Sequence, residues 1–470
     1  MRHTLFLLAA IASAQPYGID QKDFPASEFQ ERRAKVFDAI GRQALALIPG
    51  ASAADSLHVF RQSNEFYYLT GIEAPHCYLL LDGRSRKTTV YLPHRDPARE
   101  RQIGPLVSAE DAAVIKERSG VDEVFGVEAL ARHLAPIQVH HPAPPLYVPF
   151  SPQEGATGSR DEMLRQAAEA ASDPWDGRPS RNGRLLALLR DRFPTYELRD
   201  LSPLLDPIRL IKSPREISLI RRASQIAGLA LIEAIRSTET GVYEYQLDAV
   251  ARYVYLLNGA KHEGYPSIIG GGTNAWYGHY FRNASALKDG DLVLMDYAPD
   301  YRYYTSDVTR MWPVNGKYTP DQRALCSFIL AYRDALLKRI RPGVTPDQVL
   351  AGARQEMEQF LKTLTFSKEI YRKGAEAALP FRGHLSHPVG MTVHDVGSYQ
   401  RKEFTAGLVF SIDPMLWIPE ENLYVRMEDV VVVTANGVEN FTDFLPATPD
   451  AIEKLMREDG ILQMRKPTKP

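Results

Sequence analysis

The sequence predicts a two-domain protein whose second half is α+β, with helices packed on antiparallel sheet, and whose first half is a smaller α/β layer. Three observations carry this. The chain has 470 residues, more than one ordinary hydrophobic core organises, so length points to two domains or three. Helical and strand-like stretches interleave through the first half, the pattern of an α/β layer. In the second half, three helix starts of one kind alternate with hairpin-like apolar runs, the pattern of helices on antiparallel sheet.

The elements follow in chain order. Arg2 and His3 precede an apolar stretch from Leu5 to Ala12, and Ala12-Ser13-Ala14 is a small-x-small pattern. Residues 1–14 therefore read as a secretory leader cut after Ala14, which makes the chain exported, periplasmic or secreted. No other run approaches the ~20 apolar residues of a membrane helix, so no membrane partner is expected. Residues 20–200 form the first domain. Glu28 to Ile48 has a helical pattern, while His58-Val59-Phe60 and Phe66-Tyr67-Tyr68-Leu69 have strand-like composition. Cys77 to Leu81 and Thr88 to Leu92 read as strands separated by the turn signal Asp82-Gly83. Residues 151–183 are rich in Gly, Ser, Pro and Asp and read as a surface insertion, with Asp161 to Ala171 as a short helix.

The second domain spans residues 201–450. Ser213-Pro214-Arg215-Glu216 is a capping box with proline at the first helical position, opening a helix that runs to about Ile235. Thr319-Pro320-Asp321-Gln322 and Thr345-Pro346-Asp347-Gln348 open two more in the same way. Composition excludes little but points away from nucleic acid: the formal net charge is −2 and no long basic run is present. Cys77 and Cys326 have no CxxC partner and read as small buried apolar residues.

The chemistry lies in acids at strand ends. Leu292 to Asp296 is an apolar strand run ending in a carboxylate, and Asp307 lies eleven positions on, across a turn at Pro299-Asp300. Leu408 to Ile412 ends at Asp413, and Glu428 precedes the run Val430 to Val433. Aspartate is depleted in strands, and facing acids in an apolar layer repel unless a cation lies between them. The segment His387 to Gly397, between the two hairpins, supplies imidazoles. Four carboxylates and one histidine suit two divalent ions ~3.5–4 Å apart, able to hold a hydroxide and polarise a carbonyl. Oxygen-dominated ligation favours Mn over Zn or Co.

In these motifs the second half resembles the proline-directed branch of the pita-bread metallopeptidases, peptidase family M24, which contains aminopeptidase P and prolidase. The carriers are Met295-Asp296, Ser306-Asp307-Val308-Thr309-Arg310 with Pro313-Val314-Asn315-Gly316, Val393-His394-Asp395-Val396-Gly397, and Arg426-Met427-Glu428-Asp429. The run Phe60 to Gly71 is similar to the creatinase-type N-terminal domain of aminopeptidase P, which tilts the resemblance toward that enzyme. The resemblance implies a pita-bread catalytic domain and an Xaa-Pro aminopeptidase acting on peptides with proline in the second position. It implies metal ligands at Asp296, Asp307, His387, Asp413 and Glu428, with Asp307 and Glu428 shared. It also implies substrate-contacting His279 and His394, proton transfer through Asp413, and orientation of a ligating carboxylate by Arg426. A homodimer or homotetramer is implied as well. Two positions depart from the family pattern. Asp413 stands where the family has Glu, and Gly383 where it has His, so His384 is only a candidate proton shuttle. A prolidase-type dipeptidase and a noncatalytic binding protein are the alternative readings.

Overall fold

The computed structural model describes residues 17–53, 59–135, 143–155 and 157–464. The expected leader, His58 and the His140-His141 pair lie outside the described residues. The chain divides into two units, one comprising residues through Gln153 together with Ala170–Leu204, the other Glu154–Glu169 and Leu205–Pro470.

The first unit is built on a six-stranded mixed sheet. Its order is Glu123–Gly126, Lys87–Leu92, Tyr78–Asp82, Leu45–Pro49, Leu146–Val148, Leu198–Asp200. Tyr78–Asp82 and Lys87–Leu92 form the hairpin expected around Asp82-Gly83. Three readings are corrected here. The helical stretch expected from Glu28 to Ile48 is a helix only over Ala26–Ile40; Gly41, at φ +76°, ends it, and Leu45–Pro49 becomes a buried strand. Phe66 to Leu69, expected as strand, lies in the helix Asn64–Thr70, which closes on Gly71 at φ +68°. All four of these residues are buried, and a short apolar run buried on every side has no periodicity that separates strand from helix. Val59 and Phe60 belong to no strand. The two cysteines are free and buried, as expected.

Residues 151–183 are not one surface insertion. Arg160–Ser172 is the anticipated helix, but Glu154–Glu169 belongs to the second unit, where Glu154 and Ser159 are buried.

In the second unit each of the three expected capping boxes forms. The Ser213 hydroxyl accepts from the Glu216 amide at 3.3 Å, and the Glu216 carboxylate accepts from the Ser213 amide at 2.9 Å. Such a box satisfies two N–H groups that the first turn leaves unpaired and contributes about 1 kcal/mol. The helix it opens, Pro214–Arg236, buries Ile220, Ala223, Ala227 and Leu231 on one face. It also fixes the loop that carries Asp307. The Tyr304 hydroxyl donates to Glu216 at 3.0 Å, and the Ser224 and Ser306 hydroxyls lie 2.7 Å apart.

Two antiparallel sheets carry the strand-end acids. In one, Leu292–Asp296 is central between Ile268–Gly271 and Thr309–Pro313, with Thr309 opposite Asp296. In the other, Val409–Ile412 lies between Leu385–Pro388 and Asp429–Val433, with Ile412 opposite Asp429. A bridge between Thr309 and Glu428 joins the two sheets where the acids lie. Alternation places Arg310 on the other face from Thr309. There, fully buried, it bonds Asp429 at 2.6 Å and the Glu428 carbonyl at 2.8 Å, holding the two carboxylate-bearing strands together from behind. Trp312, Phe328, Tyr332 and Leu336 belong to the surrounding core. Among the described residues no helix is long and apolar enough to cross a membrane.

Candidate metal centre

Strand ends from both sheets bring Asp296, Asp307, Asp413 and Glu428 around one buried guanidinium, Arg426. Its Nη1 donates to Asp296 Oδ2 at 2.8 Å, its Nε to Asp413 Oδ1 at 2.8 Å, and its Nη2 to Glu428 Oε2. The four acids are 0–4% exposed. Four carboxylates against one cation leave excess negative charge that water cannot screen. The Asp307 carboxyl is accordingly held well above its ordinary pKa by burial and by repulsion from Glu428 and Asp296. Asp413 is raised in the same sense, by burial first, with Arg426 opposing.

His387 adds a second sign that a cation belongs here. Its Nδ1 lies 3.2 Å from the Pro388 carbonyl, which can only accept, so the proton sits on Nδ1. Burial lowers the pKa of the ring and keeps it neutral. Nε2 is then a bare lone pair, yet it faces Asp307 Oδ2 at 3.2 Å. Two acceptors at that distance repel unless a proton or a metal ion stands between them; the raised pKa of Asp307 lets a proton take that place in the metal-free chain, and a divalent ion would replace it. Asp307, His387 and Glu428 each present an atom within 4.8 Å of the others. Glu428 Oε1 is buried and has no hydrogen-bond partner, although Oε2 receives the Thr309 hydroxyl at 3.1 Å. The donor set, the facing lone pairs and the orphaned oxygen all fit divalent cations of hard or borderline character. Asp296 and Asp413 flank this triad and are tied to it through Arg426.

The three remaining sequence-predicted histidines fall in two places. His394 stacks edge-on against His387 with ring centroids 4.2 Å apart, and His279 lies 6.5 Å beyond His394. The series runs from a half-buried ring to an exposed one, and burial lowers the pKa of each. His384 is not part of it, which corrects its reading as a candidate proton shuttle. Its Nε2 donates to the Ala378 carbonyl at 2.8 Å, its Nδ1 accepts from the Met415 amide at 3.4 Å, and its ring packs 4.2 Å from Tyr332. Both nitrogens are engaged by backbone, and burial lowers its pKa to about 4.

Two site residues were missed from sequence. The Tyr265 hydroxyl lies 2.6 Å from Asp296 Oδ1 and 2.9 Å from Asp307 Oδ1, and its burial beside these carboxylates keeps it protonated and a donor. Nothing in the local sequence marks it. Thr309 could have been found, because it lies two positions after Asp307 and strand alternation puts such residues on one face.

Comparison with known proteins gives the family. The profile of metallopeptidase family M24 matches residues 218–435, and that of the aminopeptidase P N-terminal domain matches residues 29–144. The Xaa-Pro aminopeptidase of Escherichia coli is 31% identical over 452 residues, covering 91% of this chain and 97% of its own. The solved proline aminopeptidase P II of Yersinia pestis is 30% identical with a TM-score of 0.74, covering 92% of this chain and all of that one. Zinc-substituted E. coli aminopeptidase P in complex with product is 26% identical with a TM-score of 0.72, covering 93% of this chain and 99% of that one.

Proposed function

The chain belongs to metallopeptidase family M24, with the Xaa-Pro aminopeptidases, and from this premise we propose that it removes the first residue of peptides whose second residue is proline. It is a metal-dependent exopeptidase and a hydrolase. The observation that carries the site assignment is the convergence of Asp307, His387 and Glu428 ligand atoms within 4.8 Å of one another, with one buried oxygen of Glu428 unpartnered.

In this reading Asp296, Asp307, His387, Asp413 and Glu428 hold two divalent ions. The chemistry such ions supply is polarisation of the scissile carbonyl and activation of water near neutral pH. The chain's own residues do the rest. Arg426 and Tyr265 fix the carboxylates in orientation, so their lone pairs need no rearrangement when charge arrives. Asp413 Oδ1 is taken by Arg426, which leaves Oδ2 to accept the proton of the attacking water. Water adds to the carbonyl carbon, the C–N bond to proline breaks, and the proton passes to the proline nitrogen. His394 and His279 line the approach and meet the carbonyl oxygen and the substrate chain.

Manganese is the ion we assign, since the ligand set is four carboxylates and one imidazole. The likenesses above are aminopeptidases, and the dipeptidase alternative is not favoured. The test is product analysis on Xaa-Pro-Yaa and Xaa-Pro peptides with Mn, Zn or Co. The expected result is release of the first residue from the tripeptide, fastest with Mn. Cleavage confined to the dipeptide would sink the reading.

We also propose export through residues 1–14. Chain recovered outside the cytoplasm should begin at Gln15, and light scattering on it should give a homodimer or homotetramer. A chain that still begins at Met1 after secretion contradicts the leader.

A further inference from the structure

His394 is held from outside its own loop. Its backbone N–H donates to the Ser159 hydroxyl at 3.2 Å, and its Nδ1 lies 3.4 Å from Asp161 Oδ2. Both partners lie more than 230 positions away, at the start of the helix Arg160–Ser172. Ser159 is itself fixed, its amide donating to Glu162 at 2.9 Å and its carbonyl accepting from the Met163 amide at 2.9 Å. Asp161 also faces Arg165 at 3.3 Å, on the exposed side of the helix.

A chain of alternating charges, buried at Glu154, Arg209, Lys212 and Asp395, locks this helix start to the same loop. Arg160 bonds Asp206 at 2.6 and 2.8 Å and lies 3.3 Å from Glu154. Glu154 accepts from Arg209 at 2.9 Å, Arg209 donates to Asp395 at 2.7 Å, and Lys212 lies 2.9 Å from Asp395. Asp395 directly follows His394. Three carboxylates and three cations thus balance, and the pairing that makes their burial tolerable also fixes the His394 backbone. Gly390 leaves room for this, since a Cβ there would meet Asp395 Oδ2 at 2.1 Å.

We propose that the helix start at Ser159 to Glu162 is a strap that positions His394, with Asp161 as the positioning residue for its ring. Ser159 sets the height of the backbone. Asp161 accepts from Nδ1–H, which fixes the tautomer and turns Nε2 toward the substrate. The inference rests on the peptidase reading for its kinetic consequence, but not for its geometry. Neither residue stands out in the sequence, because they sit in a stretch of turn-forming composition.

The test compares Asp161→Ala, Asp161→Asn and, as a control, Arg165→Ala. Kinetics on an Xaa-Pro-Yaa peptide are joined to ¹⁵N NMR of the histidine rings in metal-free protein. Asp161→Ala should lower kcat about tenfold with KM changed less than about twofold and metal content unchanged. Its His394 ring should lose the Nδ1–H form. Asn can still accept from Nδ1–H, so Asp161→Asn should recover both readouts, and Arg165→Ala should resemble the parent chain. An unchanged His394 tautomer in Asp161→Ala overturns the proposal whatever the activity. So does a rise in KM alone, or an Asp161→Asn variant as impaired as Asp161→Ala. A tautomer shift in a chain with no peptidase activity would instead retire the functional reading and leave the strap standing.

Discussion

Asp307→Ala is expected to abolish hydrolysis of Xaa-Pro-Yaa peptides, lowering kcat/KM by about 10³-fold or more. Asp307 is the carboxylate with most to hold. One oxygen receives Tyr265 and the other faces the bare Nε2 of His387. In the proposed reading its removal would take away a metal ligand, and it leaves Tyr265 bonded to Asp296 alone. The same change relieves the repulsion that raises the pKa of Asp413, because Asp307 is one of its causes. Metal-free Asp307→Ala should therefore be no less stable than the metal-free parent, while losing the stabilisation that ions confer on it. Thermal unfolding with and without Mn separates these effects. An inactive variant that has merely unfolded would melt lower in both conditions.

Arg426→Ala is expected to have the largest effect on the metal-free chain. Among the described residues the guanidinium is the one cation paired with the carboxylates of Asp296, Asp413 and Glu428. Taking away one partner of a buried ionic cluster leaves uncompensated charge and costs about 3 kcal/mol or more. Protonation of Asp307 and Asp413, whose proton affinities are already raised, absorbs part of that cost. Bound ions offset more of it, so Mn should restore the melting temperature of the variant by more than it raises that of the parent. Activity should stay impaired even then, since the carboxylates lose the fork that orients them. A variant that melts like the parent without metal would show that Arg426 does not balance the cluster.

Much of the second unit was legible because its signals are local. A capping box declares itself within four residues, and a strand that ends in an acid needs no distant partner to be noticed. The four carboxylates that gather near Arg426, and His387 beside Asp307, could be singled out because each sits in such a motif. What escaped depends on contacts across the chain. Tyr265 reaches Asp296 and Asp307 from a loop without periodicity, and Asp161 reaches His394 from a segment whose composition reads as surface. Phe66 to Leu69 misled because a short apolar run buried on all sides carries no periodicity to tell helix from strand. His384 misled because its position beside the metal-site strand says nothing about where its ring nitrogens point. Both point to backbone.

Asp413 remains the chain's distinctive position. It is one methylene shorter than the glutamate of the family pattern, and Arg426 Nε meets it at 2.8 Å. The aspartate therefore keeps a place in the cluster through the guanidinium, whichever proton it handles during turnover.

The central claim is that five side chains, Asp296, Asp307, His387, Asp413 and Glu428, hold two divalent ions. The most direct measurement is metal content per chain after loading with Mn and removal of free ion, on the parent and on Asp307→Ala. Two ions on the parent and at most one on the variant is the expected result. A parent that retains none, or a variant that retains two, would contradict it.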